Sequence, residues 1–470
     1  MTLNDSRILV VGAGLMGAGI AQVAAQAGHA VQLYDSRAGA AEAAKAKLAQ
    51  TLDGLVAKGR LTADAAAATL ARITPVDAPA PAELAIEAIV ENLDLKRALF
   101  AELEALLPPE AVIATNTSSI SVTALARGMQ KPERLVGMHF FNPVPLMKLV
   151  EVVSGLGTAP EVAQAVFDLA TRWGKTAVHA RSTPGFIVNR IARPYYAEAL
   201  MLLQDRAAAP ELIDACLRAA GFRMGPCELM DLIGHDTNFA VTNSVFAANF
   251  FDRRFTPSLV QQELVDAGFL GRKSGRGFYR YPDGAPALPA VNLPRPAAAQ
   301  IVVHGRGPAA ERFAAALPEA VRELDGDWIG LSVDGRQLRL TDGRRAAELA
   351  RGAAVFDLPL AASGDIAYAG DAATASWLTL LGLTPRAVAD VPGLIVARTI
   401  AMLINEAADA VQQGVCDEAG ADAAMKLGVN YPAGPFEWLA RWDRRAVVAL
   451  LDRLDQHHRG ERYRVSPYLK

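Results

Sequence analysis

Two ionisable residues stand where a charge is costly unless it has a task. His139 lies in MHFFNPVP, among aromatics and prolines, and Glu151 lies inside the continuous apolar run KLVEVV. A carboxylate in such a run must be paired or hydrogen-bonded. The nearest basic group on a preceding strand that can reach it is His139. A histidine held by a carboxylate has its tautomer fixed and its basicity raised. Such an imidazole suits removal of a hydroxyl proton while hydride leaves the same carbon, the dehydrogenation of a secondary alcohol, which needs no metal.

Two further groups of residues fit that chemistry. AVIATNTSSI runs from a strand into Asn116, Thr117, Ser118 and Ser119, small polar groups where a substrate carbonyl or a nicotinamide amide would lie. Local sequence alone reads equally well as a polar helix cap. Ser118, with Asn189 of TPGFIVNR, can hold a developing carbonyl oxygen or the neighbouring acyl group by hydrogen bonds. For the hydride acceptor, ILVVGAGLMGAGI places Gly12, Gly14 and Gly17 in G-x-G-x-x-G spacing after a strand and at the start of a helix. The next strand, HAVQLYD, ends at Asp35, near the spacing expected of the carboxylate that bonds ribose hydroxyls. Asp35 repels a 2′-phosphate and favours NAD over NADP, with Arg37 two residues on acting the other way.

These residues need a scaffold, and the hydrophobic pattern supplies one. RILVVGAG, HAVQLYD, LAIEAIVE, AVIATNTS, RLVGMHFF, KLVEVV and KTAVHA read as strands separated by Ala-rich helices, which predicts a mainly parallel sheet covered by helices over residues 1–182. From TPGFIVNR the chain reads as long helices to about Ala248, a helical domain assigned to 183–282. A Pro/Ala-rich linker spans 283–299, and 300–388 reads as a small α/β unit whose glycines are too poorly placed for a nucleotide site. Within 389–470, VPGLIVARTIAMLINEAADAVQQGV repeats TPGFIVNRIARPYYAEALMLLQDRA, with Ala397 where the first copy has Asn189. Such a duplication lets two copies bury the same apolar face against each other, so a homodimer and a pseudo-dimeric monomer both fit.

Composition bounds the classes. Of 470 residues 51% are hydrophobic and 21% charged, with a formal net charge of −3 and no like-charge block, so neither a nucleic-acid footprint nor a membrane patch is expected. The N-terminus enters a strand by about Arg7, leaving no room for a signal peptide, and no apolar run is long enough to span a membrane. Cys216, Cys227 and Cys416 lack any CxxC spacing, which argues against a disulfide framework or a zinc site and for a cytoplasmic protein.

GAGLMGAGI, VENLDLK, NTSSI, GMHFFNPVPLMKLVEVV, STPGFIVNR and GRKSGRGFY, in that order over about residues 7–280, resemble the L-3-hydroxyacyl-CoA dehydrogenase family. The resemblance implies a Rossmann-type NAD-binding domain, then an all-α domain of the 6-phosphogluconate-dehydrogenase-like kind, here with an α/β insert and a partial second helical copy. It implies His139 as general base paired to Glu151, Ser118 and Asn189 as substrate-positioning groups, and an acyl-CoA substrate with Lys58 against coenzyme A. For NAD it implies the turn Gly12, Gly14, Leu15, Met16 and Gly17, with Asp35, Glu91, Lys96, Asn116, Asn142 and Lys273, and no metal. The second half resembles the longer bacterial members associated with phenylacetate breakdown, which act on a 3-hydroxyadipyl chain; a 3-hydroxybutyryl chain and a catalytically silent, crystallin-like NAD-binding protein are the alternatives. A dicarboxyl chain calls for an arginine near the acyl tail, with Arg193, Arg223, Arg253 and Arg254 as candidates.

Overall fold

A computed structural model describes residues 2–291, 298 and 300–470. Contacts divide it into two compact units, Met1–Arg190 with Gln413–Val429, and Ile191–Gln412 with Asn430–Lys470. No helix among the described residues is long and apolar enough to cross a membrane.

In the first unit all seven expected strands join one eight-stranded sheet: β1 (Ile8–Val11), β2 (Val31–Tyr34), β3 (Ile73–Val76), β4 (Leu84–Glu87), β5 (Val112–Thr115), β6 (Leu135–Phe140), β7 (Leu149–Ser154) and β8 (Thr176–Arg181). Only β3, an edge strand, escaped the sequence pattern. The order is β3-β2-β1-β4-β5-β6-β7-β8. Strands β1, β4 and β5 are buried along their whole length, as apolar runs covered on both faces must be. The helix Leu15–Gln26 follows β1 and buries Ile20, Ala21, Val23, Ala24 and Ala25. Because β1 lies between β2 and β4, the winding reverses there, and a crevice forms at the carboxyl ends of β1 and β4. The sheet is parallel except at β6 and β7, whose antiparallel register sets His139 opposite Glu151.

The second unit carries the helices Arg193–Gln204, Pro210–Ala219, Pro226–Ile233 and His235–Ala248. Of the expected linker 283–299, residues 292–297 and 299 lie outside the described residues. The insert forms a seven-stranded sheet of β9 (Ile301–His304), β10 (Val321–Glu323), β11 (Gly330–Val333), β12 (Arg336–Leu340), β13 (Ala354–Phe356), β14 (Gly364–Gly370) and β15 (Leu383–Ala387), in the order β10-β9-β11-β12-β13-β14-β15. Its last four strands pair parallel, antiparallel and parallel, the directions of β5 to β8.

The helical repeat is structural as well as sequential. Gly185 and Phe186 turn with φ of 77° and 47°, and Gly393 and Leu394 with 71° and 49°. A non-glycine residue at such a φ is uncommon, so its recurrence marks the same turn built twice. The second copy's helix Val396–Gln412 is buried from Val396 to Ala410 and packs on Arg193–Gln204. Polar groups inside that contact pair with one another: Arg398 Nε lies 2.9 Å from Glu198 Oε2, and Tyr463 Oη donates to the same oxygen at 3.0 Å.

Candidate active site

The glycine turn at the head of β1 fits a dinucleotide by what it leaves open. A Cβ on Gly12 would meet the Ala88 carbonyl oxygen at 2.5 Å, and one on Gly17 the Gly12 carbonyl at 1.7 Å, so both glycines are demanded by the chain's own packing. Gly14 differs: nothing lies within 4 Å of its would-be Cβ, and it starts the helix Leu15–Gln26 with no side-chain cap. Uncapped N–H groups at a helix start, beside a bare exposed glycine, have the chemistry and the room that a pyrophosphate needs. Asp35 Oδ2 accepts the Ala13 N–H at 2.8 Å, tying the end of β2 to this turn. Burial alone would raise the Asp35 pKa, but the Arg37 guanidinium and the amides of Ala13 and Arg37 hold it below the usual carboxylate range.

Glu91 organises the NTSS turn. Its Oε1 accepts the Thr117 hydroxyl at 2.6 Å and the backbone N–H groups of Ser118 and Ser119 at 3.0 and 3.1 Å, with the Ser118 hydroxyl at 3.5 Å. Burial raises its pKa; the Lys96 charge and the Thr117 hydroxyl outweigh burial and keep it low. Lys96, offered above as a cofactor contact, is 1% exposed and bridges Glu87 at 2.6 Å and Glu91 at 3.1 Å. Its ammonium therefore acts on the site through Glu91. Glu87, which the sequence reading passed over inside LAIEAIVE, is fully buried and also accepts the Thr115 hydroxyl at 2.6 Å. The signal was a carboxylate in an apolar run, the same one that singled out Glu151.

At the reacting end, His139 Nδ1 lies 2.5 Å from Glu151 Oε2. The other oxygen, Oε1, accepts the backbone N–H groups of Ile187 and Val188 at 3.0 Å each. A carboxylate already accepting two N–H donors is best completed by a third, so Nδ1 carries a proton, and in the neutral ring Nε2 keeps its lone pair. Asn189 follows Val188 directly, and its Nδ2 lies 3.5 Å from the Ser118 carbonyl oxygen. Thus Glu151 positions the imidazole and the start of the segment bearing Asn189 together. Phe141 and Phe186 flank the imidazole, with ring centroids 4.5 and 5.8 Å away.

The remaining expected residues fall around this core. Asn116 Oδ1 accepts the Phe140 N–H at 2.8 Å, locking β5 to the strand that carries His139. Asn142 is exposed just beyond β6, where Lys175 Nζ holds the following segment through the Val144 and Met147 carbonyls at 2.5 and 2.8 Å. Lys58 is exposed at the C-terminal cap of the helix Ala40–Ala57. Lys273 belongs to the second unit, where it pairs with Asp236 at 2.5 Å.

Comparison with known proteins adds a family to this geometry. Residues 7–183 match the model of the 3-hydroxyacyl-CoA dehydrogenase NAD binding domain, and residues 185–281 and 393–470 match that of the 3-hydroxyacyl-CoA dehydrogenase C-terminal domain. The chain belongs to the 3-hydroxyacyl-CoA dehydrogenase family. Like this family, it is an NAD-dependent oxidoreductase with 3-hydroxyacyl-CoA dehydrogenase activity. It is 46% identical to 3-hydroxyadipyl-CoA dehydrogenase of Escherichia coli K12, over 100% of this chain and 98% of that protein. A crystal structure described as 3-hydroxybutyryl-CoA dehydrogenase from Escherichia coli K12 superposes with a TM-score of 0.89 at 46% identity, covering 99% of this chain and 98% of that one. A probable 3-hydroxybutyryl-CoA dehydrogenase of Deinococcus radiodurans, 43% identical, is covered over 99% of its length by 58% of this chain. The second half is therefore an addition that this shorter family member lacks.

Proposed function

We propose that the chain oxidises (S)-3-hydroxyadipyl-CoA to 3-oxoadipyl-CoA, a step of phenylacetate breakdown, with His139 as the general base. The observation that carries the mechanism is the His139–Glu151 hydrogen bond, made on a carboxylate whose second oxygen is committed to the Ile187 and Val188 amides. Glu151 keeps the proton on Nδ1. Nε2 takes the proton of the C3 hydroxyl as the C–H electron pair departs and the C=O bond forms. Bound NAD supplies the hydride acceptor. Ser118 and Asn189 hold the oxygen at C3 and the adjoining acyl group, and Phe141 and Phe186 keep bulk water from the imidazole.

The adipyl chain is supported by 46% identity over the full length to a relative of that name; the solved structure that matches over the same length carries the butyryl name, so the choice between the two chains falls to kinetics. The deciding experiment is initial-rate kinetics with 3-hydroxyadipyl-CoA, 3-hydroxybutyryl-CoA and 3-hydroxyhexanoyl-CoA. A kcat/KM highest for the dicarboxyl substrate is expected. A preference for either monocarboxyl chain refutes the adipyl reading and leaves the dehydrogenase mechanism standing.

A further inference from the structure

Within the second unit a cavity of about 360 Å³ is lined by Arg193, Arg253, Arg254, Arg459 and Arg462, and no aspartate or glutamate lines it. Three of the four arginines picked out from sequence for a distal carboxylate meet here; Arg223 does not. Arg254 pairs with Glu406 at 3.2 Å and Asp409 at 2.5 Å, and Arg462 with Glu198 at 3.3 Å. Arg253 and Arg459 are exposed at the cavity and form no ion pair among the described residues. Arg193 is buried at 7% exposure, with its guanidinium 4.8 Å from the centre of the Tyr196 ring and Nη1 3.2 Å from the Thr242 hydroxyl. The rest of the wall includes the apolar side chains of Leu200, Met201, Phe255 and Leu259.

An apolar wall combined with several guanidiniums selects against cations, and against small fully hydrated anions that bury no carbon. It suits a short methylene chain with an anionic end, because the guanidinium fork matches a carboxylate in two parallel hydrogen bonds. We propose that this cavity is a binding site for an aliphatic chain ending in a carboxylate, held by Arg193 and Arg253. The site stands on the cavity itself; naming the chain as a six-carbon diacid rests on the dicarboxyl reading above.

Isothermal titration of the full-length protein with adipate, 1,6-hexanediol and inorganic phosphate tests it. Adipate is expected to bind one per chain, with the diol and phosphate about tenfold weaker or more, the loss of a charge-assisted hydrogen bond or of the buried chain. Arg253→Met, at an exposed position, should weaken adipate about tenfold with an unchanged Tm. Arg193→Lys, which keeps the charge and loses the fork, should weaken it as well. Equal binding of adipate and the diol, phosphate matching adipate, or Arg253→Met titrating like wild type each overturns the site. The two readings fail separately. Arginine-dependent adipate binding in an enzyme that prefers 3-hydroxybutyryl-CoA keeps the site and removes the substrate reading, and an adipyl preference without adipate binding does the reverse.

Discussion

Asp357 does for the second helical copy what Glu151 does for the first. Asp357 accepts the backbone N–H groups of Ile395, Val396 and Ala397 at 2.7 to 2.9 Å, and Glu151 accepts those of Ile187 and Val188 at 3.0 Å. The residue pairs Ile187/Ile395 and Val188/Val396 are equivalent in the repeat, so a carboxylate from each sheet caps the same turn. The first carboxylate has an oxygen left for a histidine; the second spends both on amides and a neighbouring Leu358 N–H. With Ala397 in place of Asn189, the second copy retains the structural half of the device and not the chemical half.

Replacing His139 by Gln removes the lone pair that takes the proton. A fall in kcat of about 10²- to 10⁴-fold is expected, with NADH affinity by fluorescence titration within about twofold of wild type. Glu151→Gln should also lower kcat, and should cost stability in addition because Oε1 caps Ile187 and Val188. Near wild-type turnover in His139→Gln excludes it as the base.

The two open glycine questions separate by experiment. A Cβ on Gly14 meets nothing within 4 Å, whereas one on Gly17 collides with the Gly12 carbonyl at 1.7 Å. Gly14→Ala should therefore leave Tm nearly unchanged while weakening NAD binding about tenfold or more, since only the incoming pyrophosphate feels the methyl group. Gly17→Ala should lower Tm by several degrees whether or not NAD is present. If Gly14→Ala bound NAD like wild type, the turn would not be the cradle.

The pattern of what was legible in the sequence has a physical basis. His139, Glu151, Gly12, Gly14, Gly17 and Asp35 announced themselves because each is an exception within a regular apolar strand or at its end. Strands β3, β10, β14 and β15 did not. Strands β3, β10 and β15 are edge strands, and β3 and β15 each contain a proline, Pro75 and Pro385, where a missing N–H costs no ladder bond; β14 starts and ends on glycine, which reads as a turn. The resemblance implies Glu91 as a cofactor contact; that it also braces the NTSS turn was not legible, because its hydrogen bonds to Thr117, Ser118 and Ser119 are non-local. The same limit hid the grouping of Gln413–Val429 with the first unit.

The inter-copy ion pair gives a stability prediction free of the chemistry. Arg398 and Glu198 are both fully buried, with Tyr463 on the same carboxylate. Burial pushes the Glu198 pKa up, but Arg398 and Arg462 outweigh it and hold the carboxyl below its ordinary value. Arg398→Met leaves that carboxylate with one cation fewer inside the protein and should cost about 3–5 kcal/mol in urea unfolding. The double variant Arg398→Met with Glu198→Leu should recover much of the loss. A single variant as stable as wild type contradicts an inter-copy role for the pair.

Asp357 itself gives a pH signature of opposite sign to that of an ordinary paired carboxylate. Burial pushes its pKa up to about 6, against the lowering effect of the Val396, Ala397, Leu358 and Ile395 amides. An unfolded chain releases this proton near pH 4, about the reference value. Between those two values the folded state holds more protons than the unfolded state, so stability from this group is fullest below about pH 4 and is lost as pH rises through about 6. Asp357→Asn deletes the titration and leaves a pH-independent cost from its altered hydrogen bonds to the same amides. In denaturant unfolding from pH 4 to 7, the stability of wild type relative to Asp357→Asn should shrink as pH rises across this window. A relative stability that grows with pH would mean that the four amides outweigh burial and that Asp357 is an ordinary low-pKa cap.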